Sequence, residues 1–362
     1  MKVSKLLNIV ECAGTPYEIG LQYGKASKAI LKKNLSMCLK TLTDFAKITL
    51  NTDLNTDEIL SIADKFLPLV VDFDSELIEF VNGEAKGAGM SFPEVFYLRC
   101  ALDILFYYGQ ISGMCTSFAA TGSATRSGKT IVGRNIDFSG DWPFELMKVR
   151  HADGMEQLAL SFGGVEWDVL NSNGFCNSMN STFNLDYQVN IPYGCYIFKA
   201  MRQHSIGAAL KVLCQAARGL LYHVLANGEG DIIGIESNSQ EFQILQPEED
   251  ILVHSNHYLS DIFKKGDGVY TTFRDITDTF LRVTRIRNLM KRHHGDITCE
   301  VMMEILSDHN NFPNSICRHP DPASPGALVN KTLASVIMVP EDRKMFIAYG
   351  NPCQSEYMEY GL

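Results

Sequence analysis

Apolar positions along this 362-residue chain change their period several times. From Tyr17 to about Leu50 they recur at helical spacing, with Thr15-Pro16 as the start signal. The same spacing runs from Thr56, read as a cap, to about Val81, and from Ser91-Phe92-Pro93 to about Tyr108. A strand is expected at 5–12, ahead of this mostly helical segment. The pattern then shortens into strand-like runs at 115–122, 129–137, 145–151, 156–163 and 174–183. A helix is predicted over 193–217, and strands over 222–226, 231–236, 241–245 and 251–255, with Asn227-Gly228-Glu229-Gly230 as a hairpin turn. Helices at 274–293 and 298–307 follow. Strands at 333–339 and 344–349 close the chain around Pro340-Glu341-Asp342-Arg343. Hairpin-joined strands separated by blocks of helix predict an α+β layered fold rather than a parallel βαβ sheet. No internal repeat, linker or low-complexity stretch interrupts it.

One hairpin carries the chemistry. Between 115–122 and 129–137, Ser123-Ala124-Thr125-Arg126-Ser127-Gly128 is a small, polar loop ending in glycine. If Gly122 faces Lys129, facing residue numbers sum to about 251 and Cys115 lies level with Ile136. Arg134 and Asp137 then flank the Cys115 thiol. Side chains alternate along a strand, so these two point to opposite faces. Both reach the thiol only if the strand bulges or ends near Asn135.

Composition narrows the classes. With 32 basic and 42 acidic residues the net charge is −10, and the absence of a dense Lys/Arg cluster argues against nucleic acid as a partner. The ten cysteines are scattered without a C-x2-C pair, which fits a reducing compartment rather than a disulfide framework. No secretory pattern opens the chain, no apolar run approaches the ~20 residues of a membrane span, and Tyr360-Gly361-Leu362 is not a peroxisomal signal. The expectation is a cytoplasmic protein with no membrane partner. His254 and His257, and the adjacent His293-His294, lack a carboxylate or thiol at zinc spacing, so no metal is expected. Phe106-Tyr107-Tyr108 is read as core packing or as the lining of an acyl pocket.

Six motifs, taken in order, give the chain a family resemblance: Gly14-Thr15-Pro16-Tyr17-Glu18-Ile19-Gly20 with Gly24-Lys25; Cys115-Thr116; Gly133-Arg134-Asn135-Ile136-Asp137-Phe138; Asn171-Ser172-Asn173-Gly174 leading to Asn180; His254-Ser255-Asn256-His257; and Asn314-Ser315-Ile316-Cys317-Arg318 with a closing Gly350-Asn351-Pro352. Over nearly its whole length the chain resembles the N-terminal-nucleophile (Ntn) acyltransferases typified by acyl-coenzyme A:6-aminopenicillanic acid acyltransferase, with bile-salt and penicillin V amidases as more distant relatives.

The resemblance implies a four-layer αββα sandwich made as an inactive precursor. Cys115 would attack the carbonyl of Met114, dividing the chain into a mostly helical 1–114 and a catalytic 115–362 that stay associated as one fold. The new α-amine, with a pKa of about 7.7–8.0, would take the thiol proton near neutrality. Asp137 would hold that amine, and Arg134 would favour thiolate. Asn256 and a backbone N–H near Asn180 would donate to the oxyanion, each such donor being worth ~10²–10³ in rate. Arg282 matches the helix arginine that supports these sites in the amidases. Arg318 would meet a substrate carboxylate or phosphate, or form an internal ion pair, and Thr116 would line the substrate side. The implied substrate is a small N-acyl compound or acyl thioester. No cofactor is implied, and acyl-CoA enters only as substrate. Beyond the two associated chains, a homo-oligomer is left open.

Two departures stand out. The penicillin enzyme has glycine before its cysteine where this chain has Met114, and glutamine where this chain has Arg134, the choice of the bile-salt amidases. The bulkier residue at the scissile carbonyl would slow or prevent processing, and Arg134 points the substrate away from a penicillin nucleus. Two alternatives stay open: a Cys/His hydrolase built on Cys115 without cleavage, and an unprocessed homologue that binds an acyl ligand without turnover.

Overall fold

The structure, a computed structural model, describes residues 2–109, 115–270, 277–323 and 329–362, without the side chains of 45, 48–50 and 106–109. Met114 and the aromatic run 106–108 therefore lie outside the described residues or side chains. The helices are α1 (Pro16–Ala26), α2 (Lys28–Leu50), α3 (Thr56–Ile62), α4 (Leu67–Phe73), α5 (Ser75–Ala88), α6 (Phe92–Gly109), α7 (Tyr193–Met201), α8 (Ile206–Ala216), α9 (Asp278–Arg292) and α10 (Cys299–Leu306). The strands are β1 (Ile9–Gly14), β2 (Thr116–Ala120), β3 (Ile131–Ser139), β4 (Glu145–His151), β5 (Glu156–Phe162), β6 (Val165–Asn171), β7 (Phe175–Ser181), β8 (Leu221–Asn227), β9 (Ile232–Ser237), β10 (Phe242–Leu245), β11 (Ile251–His254), β12 (Asn330–Val339), β13 (Lys344–Tyr349) and β14 (Met358–Gly361).

They form an eight-stranded sheet, β1-β4-β5-β6-β7-β8-β9-β10, and a six-stranded sheet, β11-β2-β3-β12-β13-β14. The sheets meet face to face, with β2 against β7 and β11 against β9. Helices α7 and α8 cover the outer face of the larger sheet, and α9 and α10 that of the smaller. The result is the expected α+β order of four layers, αββα. Every residue of β6 and of β7 is buried because both strands are covered on both faces.

Sequence and structure differ mainly where local breakers cut a periodic run. The span 17–50 divides at the buried Ser27. The span 56–81 becomes α3, α4 and α5, with Asn55 capping α3, Pro68 opening α4 and the Asp74 side chain capping α5. The span 193–217 divides where Ser205 caps α8. Two strands were missed. β14 is short. In β6, Glu166 and Asp168 mask a fully buried strand, their charges being matched by Arg99 and Arg134.

The early glycines have a packing role. Gly20 and Gly24 on α1 meet Gly83 and Gly87 on α5 so closely that a Cβ on Gly24 would stand 2.2 Å from the carbonyl oxygen of Glu84. No side chain fits there. This motif serves a helix crossing that supports the outer layer.

Candidate active site

Cys115 immediately precedes β2 and is buried. β2 and β3 pair with Thr116 opposite Asn135 and Ala120 opposite Ile131, so facing numbers sum to 251 as the hairpin loop predicts. β3 itself continues without a bulge to Ser139. The irregularity lies in its other neighbour, where β12 shifts register between Thr332 and Ala334. Strand β3 thus neither bulges nor ends near Asn135, so the condition for Asp137 to reach the thiol alongside Arg134 is not met.

Arg134 projects between the sheets. Its Nη2 donates to Cys115 Sγ at 3.4 Å and lies 3.5 Å from Met179 Sδ, while Nη1 donates to Asp168 Oδ2 at 2.8 Å. Asp168 also accepts from Ser178 Oγ at 2.5 Å, and the guanidinium sits 5.6 Å from the Trp167 ring centre. Burial works against the arginine's charge, but Asp168 and the Cys115 sulfur outweigh it and hold its pKa above the usual value. Asp168 aims a fixed cation at the sulfur. Sequence reasoning missed Asp168, whose only signal was a lone acid in an apolar run.

Asp137 projects to the opposite, helix-covered face, as strand alternation requires. Its Oδ1 accepts from Thr332 Oγ1 at 2.7 Å, while the buried Oδ2 has no hydrogen-bond partner. The nearest cationic atom recorded for Oδ2 is Arg318 Nε, at 4.0 Å. Burial raises the pKa of Asp137 to about 6, partly offset by Arg318, Arg282 and the Thr332 bond. The result is an incompletely satisfied carboxylate close to the strand's paired end. Arg318 donates to Asp278 and Asn314, so of its two readings the internal ion pair is the one the geometry contains.

Arg282, on α9, joins the pieces. It donates to the Cys115 carbonyl oxygen and to Thr116 Oγ1, both at 2.7 Å, to Asn256 Oδ1 at 2.9 Å and to Asp278 at 2.9 Å. Ser255 Oγ adds a second donor to the Cys115 carbonyl at 3.2 Å. Arg282 and Thr116 are thus engaged with the chain itself. Asn256 Nδ2 donates to the carbonyl and hydroxyl oxygens of Ser181, at 2.9 and 3.0 Å. Asn180 Nδ2 donates to Ser117 Oγ at 3.0 Å and lies 3.5 Å from His254 Nδ1. The other His254 nitrogen meets Glu236 at 3.0 Å. Both ring nitrogens are occupied, and His254 offers no base to the thiol.

Cys115 thus leads an interior strand of an αββα sandwich, with an Asp168-paired arginine against its sulfur. The model of the family described as acyl-coenzyme A:6-aminopenicillanic acid acyl-transferase matches residues 124–354, and the chain belongs to that family. The match begins nine residues after Cys115. Solved structures similar to this chain include a Caenorhabditis elegans ortholog of N-acylethanolamine-hydrolyzing acid amidase, at 18% identity and TM-score 0.44, covering 68% of this chain and 100% of that one. A variant of conjugated bile acid hydrolase from Clostridium perfringens matches at 12% identity and TM-score 0.46, covering 68% and 97%. Penicillin V acylase from Agrobacterium tumefaciens matches at 11% and 0.46, covering 68% and 86%. Among the described residues, no helix is long and apolar enough to cross a membrane.

Proposed function

We infer that this protein is a self-processing thiol amidohydrolase or acyltransferase for small N-acyl compounds or acyl thioesters, with Cys115 as nucleophile. The observation that carries the reading is the pairing of Arg134 with the Cys115 sulfur, joined by a buried Asp137 oxygen that accepts no hydrogen bond. In processing, Cys115 Sγ attacks the Met114 carbonyl, the acyl group moves from nitrogen to sulfur, and the α-amine is released. Water then hydrolyses that thioester, leaving a Met114 carboxylate and a free Cys115 thiol. In turnover, the α-amine accepts the thiol proton and Arg134 favours the thiolate. The thiolate attacks the acyl carbon, and the amine returns the proton to the leaving nitrogen or sulfur. Water or an amine then releases the acyl group.

Asp137 Oδ2 supplies the partner that the protonated amine needs in a buried site. Asn256 serves the oxyanion by turning one N–H away from Ser181, with a backbone N–H near Asn180 as second donor. The matched family and the Arg134–sulfur contact favour this chemistry over a Cys/His pair.

The test incubates purified protein with a panel of N-acyl amides and acyl-CoAs and follows intact mass after an acid quench. The expected result is an acyl adduct on Cys115, lost together with turnover in Cys115→Ala. Turnover that survives Cys115→Ala contradicts the reading. Saturable binding without any adduct or turnover supports the ligand-binding alternative instead.

A further inference from the structure

Away from Cys115, two histidines and two cysteines from two separate connections converge. His309 follows α10, Cys317 and His319 lie in the loop before β12, and Cys353 lies in the turn between β13 and β14. Their ligating atoms all fall within 4.8 Å of one another. The sulfurs of Cys317 and Cys353 are 3.6 Å apart, and His319 Nε2 lies 3.6 Å from the first and 3.4 Å from the second. His309 Nε2 is 3.1 Å from His319 Nε2.

These four distances fit edges of a tetrahedron of ligands around one ion. Zinc bonds of about 2.3 Å to sulfur and about 2.0–2.1 Å to nitrogen place two sulfurs about 3.8 Å apart, sulfur and nitrogen about 3.6 Å, and two nitrogens about 3.3 Å. The sulfur pair is well beyond the ~2.05 Å of a disulfide. A disulfide also has no use for an imidazole nitrogen set against both sulfurs. Asn351 Nδ2 donates to Cys317 Sγ at 3.5 Å, a contact that suits a thiolate ligand.

We propose that His309, Cys317, His319 and Cys353 bind one zinc ion as a closed, structural Cys2His2 site. Binding displaces the two thiol protons to solvent and leaves a neutral centre. With four protein ligands no coordination position is open, so the site is structural rather than catalytic. Cys317 and His319 bracket Arg318, whose carbonyl accepts from Asn351 Nδ2 at 2.7 Å and whose N–H donates to Thr332 Oγ1 at 2.9 Å. Thr332 in turn holds Asp137. The ion therefore pins the loop that carries Arg318 to the turn after β13, and fixes the wall behind Asp137. The spacing Cys317-x-His319, with the other ligands 8 residues before and 36 after the cysteine, has no C-x2-C signature and escapes a motif search.

The test uses the full-length protein, chelated under reducing conditions, reloaded with excess Zn2+ and desalted into metal-free buffer. Elemental analysis is expected to find one zinc per chain. Reloading with Co2+ is expected to give the intense visible bands of a tetrahedral centre with thiolate charge transfer. Cys317→Ser/Cys353→Ser is expected to lose the ion, and Cys115→Ala to keep it, which separates this site from the nucleophile whatever its activity. Four results overturn the proposal: wild-type protein that holds no zinc after desalting, an octahedral Co2+ spectrum, equal zinc in the double variant, or a Cys317–Cys353 disulfide that persists in reloaded protein. The Co2+ spectrum of the wild type decides the matter even if the double variant does not fold.

Discussion

Arg134 and Asp137 stand three residues apart on one strand and face opposite sides of the sheet, so Arg134 meets the Cys115 sulfur while Asp137 meets Thr332 and Arg318. Arg134 is held by Asp168, with both side chains buried. Removing one partner of such a pair leaves an uncompensated charge and costs about 3–5 kcal/mol. Arg134→Gln is therefore expected to lower unfolding stability by about that amount in denaturant titration, with part of the loss recovered in Arg134→Gln/Asp168→Asn. Asp137 behaves differently. Its folded pKa, about 6, lies above the ordinary aspartate value, so between roughly pH 4 and pH 6 the folded chain binds more protons than the unfolded one. Stability contributed through Asp137 is thus greatest below about pH 4 and falls as pH rises through about 6. In uncleaved Cys115→Ala protein, adding Asp137→Asn is expected to raise the Tm at pH 8 and to change it little at pH 4. An equal shift at both values contradicts a buried, strained carboxylate. The positions of these two residues were legible in the sequence, because the glycine-ended loop fixes register and alternation fixes the faces. Their partners were not. Asp168 sits on a strand disguised by its own charge, and Thr332 reaches Asp137 through a bulge in a strand almost 200 residues away in sequence.

Among the elements, the strands flanking the site follow from short-range pattern, whereas the helical layer depends on contacts that periodicity does not report. A 34-residue run of helical spacing gives no hint that Ser27 is buried at a corner, or that Gly24 must let α5 approach. Gly24→Ala forces a methyl group against the backbone of Glu84 and is expected to cost about 3 kcal/mol, the upper part of the range for overpacking. Equilibrium denaturation checks this. A variant as stable as the parent contradicts the tight crossing of α1 and α5. Arg282 is a second case. Its place on a helix was legible, but its four bonds to Cys115, Thr116, Asn256 and Asp278 show that α9 is tied to the nucleophile's strand. Arg282→Met is expected to reduce turnover by at least ~10², because it releases both the Cys115 carbonyl and Asn256. Steady-state kinetics on folded variant protein measures the loss.

At the scale of the molecule, the segment before Cys115 is built into the same layers as the segment after it. β1 pairs in parallel with β4 along six residues, and α6 packs against α7. A cut at Cys115 therefore leaves chains of 114 and 248 residues (362 − 114) that share one core. They are expected to co-elute on native gel filtration and to part only in denaturant; elution as separate species contradicts the shared core. The most direct measurement is the intact mass of purified, catalytically active protein under denaturing conditions, with sequencing of each new N-terminus. The account predicts two chains, one of them beginning with an unblocked Cys115, and a single uncleaved chain for Cys115→Ala. Active protein that still carries the Met114–Cys115 peptide bond would contradict it.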